Sequence, residues 1–291
     1  SMDSIFGGSF SAPDLLADKD GQATDLYPAT NDEIWKVDVG RGEIEYGSTD
    51  VTFWCALPQE LETACSEGNP EGLPFCKPYP VILYGHGYGG SRAEMSLHMG
   101  RHTAMGYAIC ALDAYGHGLN VWREDPAAST SIALASVKFR DLEVPEIAPM
   151  MTMGRDRDMD NDGVSDPGAD MWTSDVIHTR DMVRQTTLEH MQFVRILRGM
   201  DGVTLGEDGG VLGDLDGDGQ VDIGGPQNTI GSWGVSLGGI ISGVLAGAEP
   251  GLDAASPNAG GAGLGDIGSR SAQAGVPQAV IMPVLGPYIA G

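Results

Sequence analysis

The sequence predicts an α/β fold, a mostly parallel sheet flanked by helices. Two stretches predict it. Val81 to Tyr84 is a short apolar run closed by Gly85-His86-Gly87-Tyr88-Gly89-Gly90. Arg92 to Met105 follows with helical character, and Tyr107 to Leu112 is a second apolar run. Strand, glycine loop, helix, strand is a βαβ unit, and it requires parallel strands. Far downstream, Thr229 to Trp233 is apolar, Gly234-Val235-Ser236-Leu237-Gly238 is a glycine-flanked turn, and Ile240 to Ala246 is apolar again. That reads as strand, sharp turn, helix.

The turn spells G-x-S-x-G. A serine there has its hydroxyl lifted clear of the backbone, and flanking glycines avoid Cβ clashes in so tight a turn. With the upstream glycine loop, in this order and spacing, the chain resembles the α/β-hydrolase superfamily over two blocks, roughly 80–119 and 228–245. The resemblance implies that Ser236 is the nucleophile. It implies an oxyanion hole made by the backbone N–H groups of Tyr88 and Leu237, since acyl transfer creates an oxyanion that fixed dipoles stabilise without reorganising. It gives His86, and likewise His117, a loop-holding role rather than a chemical one.

In this superfamily the acid and the histidine follow the serine. None of the six histidines (His86, His98, His102, His117, His178, His190) does so here, although Asp253 and Asp266 lie beyond Ser236. The tail offers one further strand pattern, 278–285, within an apolar, uncharged run from Val276 to Ala290. A parallel sheet that ended there would expose an apolar edge. The expectation is that the C-terminal strands are missing from this chain, and that a second polypeptide or C-terminal fragment completes the sheet and supplies acid and histidine. A truncated chain and a hydrolase fold without a base are the alternatives.

The organisation expected is an extension over 1–40 and a hydrolase domain over 41–291. Residues 120–172 form a cap- or lid-like insertion with a Met-rich stretch, Ile147 to Met153. Thr173 to Arg198 reads as one long helix, capped by Thr173 or Ser174, with Val176, Val183, Met191, Val194 and Leu197 roughly along one face. Residues 201–226 lead from it to the nucleophile strand.

Two acidic segments share the pattern D-x-D-x-D-G-x-x-D. One carries Asp158, Asp160, Asp162 and Asp166, the other Asp214, Asp216, Asp218 and Asp222. Alternate carboxylates on a tight loop converge, the seventh-position carbonyl (Val164, Gln220) adds an oxygen, and hard oxygen donors are what Ca²⁺ requires. Neither segment has the position-twelve Glu of an EF-hand. Both resemble thrombospondin type 3 and dockerin calcium loops, with Asp170 a candidate further ligand for the first. Sixteen acidic residues against five basic between Asp156 and Asp222 would repel strongly without a cation.

The net charge of −25 argues against nucleic acid and anionic membranes as partners. No stretch has the ~20 apolar residues of a membrane span. Ser1-Met2 reads as a scar over a removed leader, so the lack of a visible signal peptide carries no information. Cys65 and Cys76 bracket a loop of Gly, Pro and acids with no core of its own, where a disulfide is natural outside the cytosol. Connectivity is not fixed by sequence. Cys110 sits mid-strand and reads as buried and free. In the hydrolase fold the strand of Cys55 could neighbour it, which leaves a second bridge open. Together these features lead to a secreted, calcium-stabilised serine hydrolase of lipase, esterase or polyesterase type. A peptidase or amidase, and a non-catalytic calcium-dependent binding module, are the other readings.

Overall fold

Short apolar runs separated by glycine turns form the strands. In the computed structural model, which describes residues 2–16, 33–60, 65, 75–118, 153–159, 162, 164–172, 175–206 and 209–271, the strands are β1 (Met2–Asp14), β2 (Val37–Asp38), β3 (Glu43–Ile44), β4 (Gly47–Pro58), β5 (Val81–Gly85), β6 (Ala108–Leu112), β7 (Ile230–Val235) and β8 (Ala254–Asn258). A 3₁₀ helix, Arg92–Leu97, runs into α1 (Met99–Thr103). The further helices are α2 (Val176–Arg198), α3 (Leu237–Ala248) and α4 (Leu264–Arg270). Six strands form one sheet in the order β1-β4-β6-β5-β7-β8. β1, β4 and β6 pair antiparallel, while β6, β5, β7 and β8 are mutually parallel. This is the mostly parallel sheet that the sequence predicts, with β8 at its edge among the described residues.

Residues alternate between the two faces as strand geometry requires. Val81, Leu83, Cys110 and Leu112 face Phe193, Val194 and Leu197 of α2 and Leu245 of α3. Tyr84, Ile109 and Ala111 face Met95 of the 3₁₀ helix, with Met99 packed beside them.

Four expectations are corrected. Residues 2–14 are no mere extension: β1 pairs with β4 from Asp14↔Gly47 to Met2↔Pro58 and closes the sheet. The cap of α2 is Asp175, whose carboxylate accepts the N–H groups of Ile177 (2.8 Å) and His178 (3.3 Å). Cys110 is not free. It stands opposite Cys55 in register on neighbouring antiparallel strands, Cα atoms 4.1 Å apart, and bridges to it. The Cys65–Cys76 bridge also forms. Asp170 does not complete the first acidic loop, because its oxygens are held by His178 and Arg157. The Met-rich stretch up to 152, Asp160, and the tail beyond 271 lie outside the described residues.

Much of the buried face of α2 is polar. Asp181, Gln185 and Glu189 are fully buried. Asp181 accepts Trp35 N–H (3.0 Å), Gln185 bonds Leu15 N–H (3.1 Å) and the Pro13 carbonyl (2.8 Å), and Glu189 pairs with Arg155. The N-terminal segment and the end of the insertion are thus tied to one helix.

The aromatic ring of Phe193 lies 5.5 Å from that of Phe10 on β1 and 4.8 Å from that of Phe53 on β4. Phe193→Ala is expected to cost about 3–5 kcal/mol in urea unfolding. A cost under about 1 kcal/mol would show that β1 and α2 do not share this core.

Candidate active site

Strand β7 ends in the G-x-S-x-G turn, and α3 begins at Leu237. Ser236 between them has φ 57° and ψ −113°, a conformation that a non-glycine residue holds only when its surroundings impose it. Its side chain is exposed. The surroundings are backbone. A Cβ at Gly234 would stand 2.2 Å from the Gly238 carbonyl oxygen, and one at Gly238 would stand 2.0 Å from the Gly85 carbonyl oxygen. Hydrogen bonds complete the turn: Ser236 N–H to the Asn258 carbonyl (3.0 Å), Gly238 N–H to the His86 carbonyl (2.9 Å) and Ile240 N–H to the Ser236 carbonyl (3.1 Å).

Among the described residues no acceptor is bonded to the N–H of Tyr88 or of Leu237. Leu237 opens a helix, where N–H groups have no partner within the helix. The loop after β5 is braced on three sides. Glu94 accepts Gly87 N–H (3.1 Å) and the Tyr84 hydroxyl (3.2 Å). His86 Nε2 accepts Ala114 N–H (2.9 Å), which leaves Nδ1–H to donate to the Gly87 carbonyl (2.8 Å). Arg92 pairs with buried Asp113 through both backbone and guanidinium. Sequence reasoning missed Glu94 and the Arg92–Asp113 pair. The only signal was an acid and a base just after the glycines.

Among the described residues no histidine hydrogen-bonds Ser236. His86 uses both ring nitrogens on the loop, and His178 is held between Asp170 (2.9 Å) and the Glu33 carbonyl (2.8 Å). His117 is buried. Its Nδ1 meets the Tyr115 carbonyl (2.9 Å), and burial, with the neighbouring His86, pushes its pKa down to about 4.

The two acidic loops share one hydrogen-bond scheme. The first aspartate accepts the N–H of the fifth residue (Asp158 from Asp162, 3.2 Å; Asp214 from Asp218, 3.1 Å). The fifth accepts the seventh (Asp162 from Val164, 2.8 Å; Asp218 from Gln220, 2.8 Å). The ninth accepts the second (Asp166 from Met159, 3.0 Å; Asp222 from Leu215, 2.6 Å). In the second loop, carboxylate oxygens of Asp214, Asp216 and Asp218 converge within 4.8 Å. A cation that the sequence did not announce is already there. The Lys77 ammonium lies 2.6 Å from Asp216, 2.9 Å from Asp218 and 2.8 Å from Asp222. Burial disfavours its charge, but these bonds outweigh that and raise its pKa above the ordinary lysine value.

No family model matches the chain, and no curated protein does. Solved structures similar to it include an acetyl xylan esterase from Paenibacillus sp. R4 (17% identity, TM-score 0.35, 74% of this chain and 46% of that one). Others are a putative dienelactone hydrolase from Klebsiella pneumoniae (11%, 0.34, 89% and 61%) and a ferulic acid esterase from Streptomyces cinnamoneus (12%, 0.37, 86% and 57%). The chain thus spans about half the length of these proteins.

Two outcomes follow from the site. Gly238→Ala, which drives a Cβ into backbone, is expected to destabilise the fold by several kcal/mol (on the order of 3 or more) and to show it in thermal melts. Wild-type stability in Gly238→Ala would disprove the close approach. For His117, the folded pKa lies below the ordinary 6.5, so the unfolded chain binds more protons between about pH 6.5 and 4. Its contribution is present above that window and lost as pH falls through it, about 3 kcal/mol if this group titrates alone. His117→Asn is therefore expected to flatten the loss of stability between pH 7 and 4.5 in urea titrations.

Proposed function

We propose that this chain carries the nucleophile and oxyanion hole of a serine hydrolase that cleaves carboxylic esters. The observation that supports the reading best is the exposed Ser236 at φ 57°, with N–H groups at Tyr88 and Leu237 that meet no acceptor among the described residues. Ser236 Oγ attacks the ester carbonyl, and its proton passes to a histidine. The two N–H groups receive the oxyanion, the alcohol leaves with that proton, and water then releases the acid from the acyl-enzyme. The histidine and its acid partner come from polypeptide beyond these residues, on a second chain or a C-terminal segment. The exposed parallel edge of β8, and a cleft of about 520 Å³ between α2, α3 and the loop 260–264, supply room for it. An esterase of lipase or polyesterase type is the substrate class, and the two disulfides favour a secreted enzyme.

Ester hydrolysis by the full-length gene product, assayed with p-nitrophenyl acetate and butyrate, is expected to fall by about 10³-fold or more in kcat/KM for Ser236→Ala. Retained hydrolysis in Ser236→Ala would overturn the assignment. Cleavage of amides at the same site with no ester turnover would move it to a peptidase.

Calcium is part of the proposal. The convergent carboxylates of the second loop fit a hard cation, and the first loop repeats its hydrogen bonds. Lys77 shares three of the ligand residues, so Ca²⁺ binds there against a resident ammonium. Each occupied site adds about 2.7 kcal/mol of stability when Ca²⁺ is a hundredfold above Kd. A melting temperature raised by Ca²⁺, lowered by EGTA and made calcium-independent in Asp162→Asn/Asp218→Asn is the expected outcome. A calcium-insensitive wild type would leave Lys77 as the sole counter-ion of the second loop.

A further inference from the structure

Away from Ser236, three metal-ligating side chains from distant parts of the chain meet in the interior. Glu33 (1% exposed), Asp170 (0%) and His178 (0%) come from the N-terminal segment, the end of the insertion and the first turn of α2. One ligand atom from each lies within 4.8 Å of the other two.

The hydrogen bonds around them leave a gap. His178 Nδ1 lies 2.8 Å from the Glu33 backbone carbonyl, which only an N–H can satisfy, so Nδ1 is the protonated nitrogen. Nε2 of a neutral ring then turns a lone pair toward Asp170 Oδ1, 2.9 Å away. Two acceptors that close must be bridged by a cation: a proton on Nε2, or a metal. A proton satisfies this pair alone. It leaves Glu33 Oε2, buried and without a hydrogen-bond partner, unanswered. The outer oxygens of both carboxylates are accounted for. Arg157 lies 2.6 Å from Glu33 Oε1 and 3.4 Å from Asp170 Oδ2, so it holds the carboxylates from one side.

We propose that Glu33, Asp170 and His178 form a structural zinc site. One imidazole nitrogen and two carboxylate oxygens are a zinc donor set, and an imidazole whose other nitrogen donates to a backbone carbonyl is oriented as zinc-bound histidines are. Tetrahedral ligands around zinc stand about 3.3 Å apart; the Asp170–His178 pair at 2.9 Å would open slightly, and the other separations, at most 4.8 Å, would close by no more than about 1.5 Å. Borderline N/O chemistry separates this site from the all-oxygen acidic loops, which suit Ca²⁺. The site would act on the oxyanion loop at one remove. Asp170 follows Gly168, whose Cα packs so closely on the loop that a Cβ there would stand 3.1 Å from the Tyr88 ring and 3.2 Å from Gly89 N. Zinc would pin that segment to α2.

The test is to unfold the full chain with dipicolinate and refold it with and without Co²⁺ or Zn²⁺, following metal content, Co²⁺ visible absorption and far-ultraviolet circular dichroism. The expected result is one tightly held ion per chain. Cobalt should give the intense absorption of a low-coordinate, imidazole-containing site, and zinc should displace it. Glu33→Gln and Asp170→Asn, which keep shape, are expected to weaken binding on the order of 100-fold, and His178→Gln to abolish the absorption. Asp162→Asn/Asp218→Asn should leave it untouched. A folded wild type that binds no ion with this signature, or binding unchanged in Glu33→Gln and His178→Gln, would overturn the proposal. The cluster would then be a plain imidazolium–carboxylate pair. Melting of the metal-free wild type, run alongside, shows whether any variant has failed to fold rather than failed to bind.

Discussion

The close approach of β5, β7 and α3 is the constraint on which the site depends. Three glycines, Gly85, Gly234 and Gly238, meet backbone to backbone with no space for a single methyl group. That contact sets the angle at which α3 leaves β7, and the angle forces Ser236 to positive φ. The same contact places Gly238 N–H on the His86 carbonyl, so the turn at Ser236 and the glycine loop after β5 are one hydrogen-bonded unit. Strain at one residue is offset by packing and hydrogen bonding over the several residues around it.

The opposite ends of β5 and β7 are fixed by different chemistry. Asp222 closes the second acidic loop, and its carbonyl accepts Tyr79 N–H at 2.7 Å, just before β5. Asn228 bonds the Tyr79 carbonyl (2.7 Å), just before β7. Arg198, the last residue of α2, reaches the Asn228 and Gly251 carbonyls and Asp253, and so fastens the approaches to β7 and β8. Lys77 links the acidic loop to the chain entering β5. The Lys77 ammonium in that loop therefore bears on both strands that lead to the candidate site, although it lies at their far ends.

The sheet centre was legible because local and tertiary signals agree there. β5, β6, β7 and α3 are apolar runs bounded by glycines, and the turn at Ser236 has its own spelling. β1 was not legible: Gly7-Gly8-Ser9 and Pro13 argue against a strand, and only pairing with β4 makes one. The buried face of α2 was half legible. Val183, Val194 and Leu197 are buried as their spacing implies, but Val176 is exposed and Asp181, Gln185 and Glu189 go inside, because distant segments supply their partners. Leu97, apolar and inside a helical pattern, is exposed at 79%, while Met95 is buried, because the helix begins as 3₁₀ and the face rotates. The sequence left the Cys55–Cys110 bridge only as an open alternative and did not announce Lys77, for the same reason: each needs the register of strands or loops far apart in sequence.

The central claim is that the backbone presents Ser236 as the reactive group. Reaction of the full-length gene product with a fluorophosphonate, followed by digestion and mass mapping, tests it most directly. The account predicts a single adduct on Ser236, absent from Ser236→Ala. An adduct on another residue, or an unmodified Ser236 in a protein that hydrolyses esters, would contradict it.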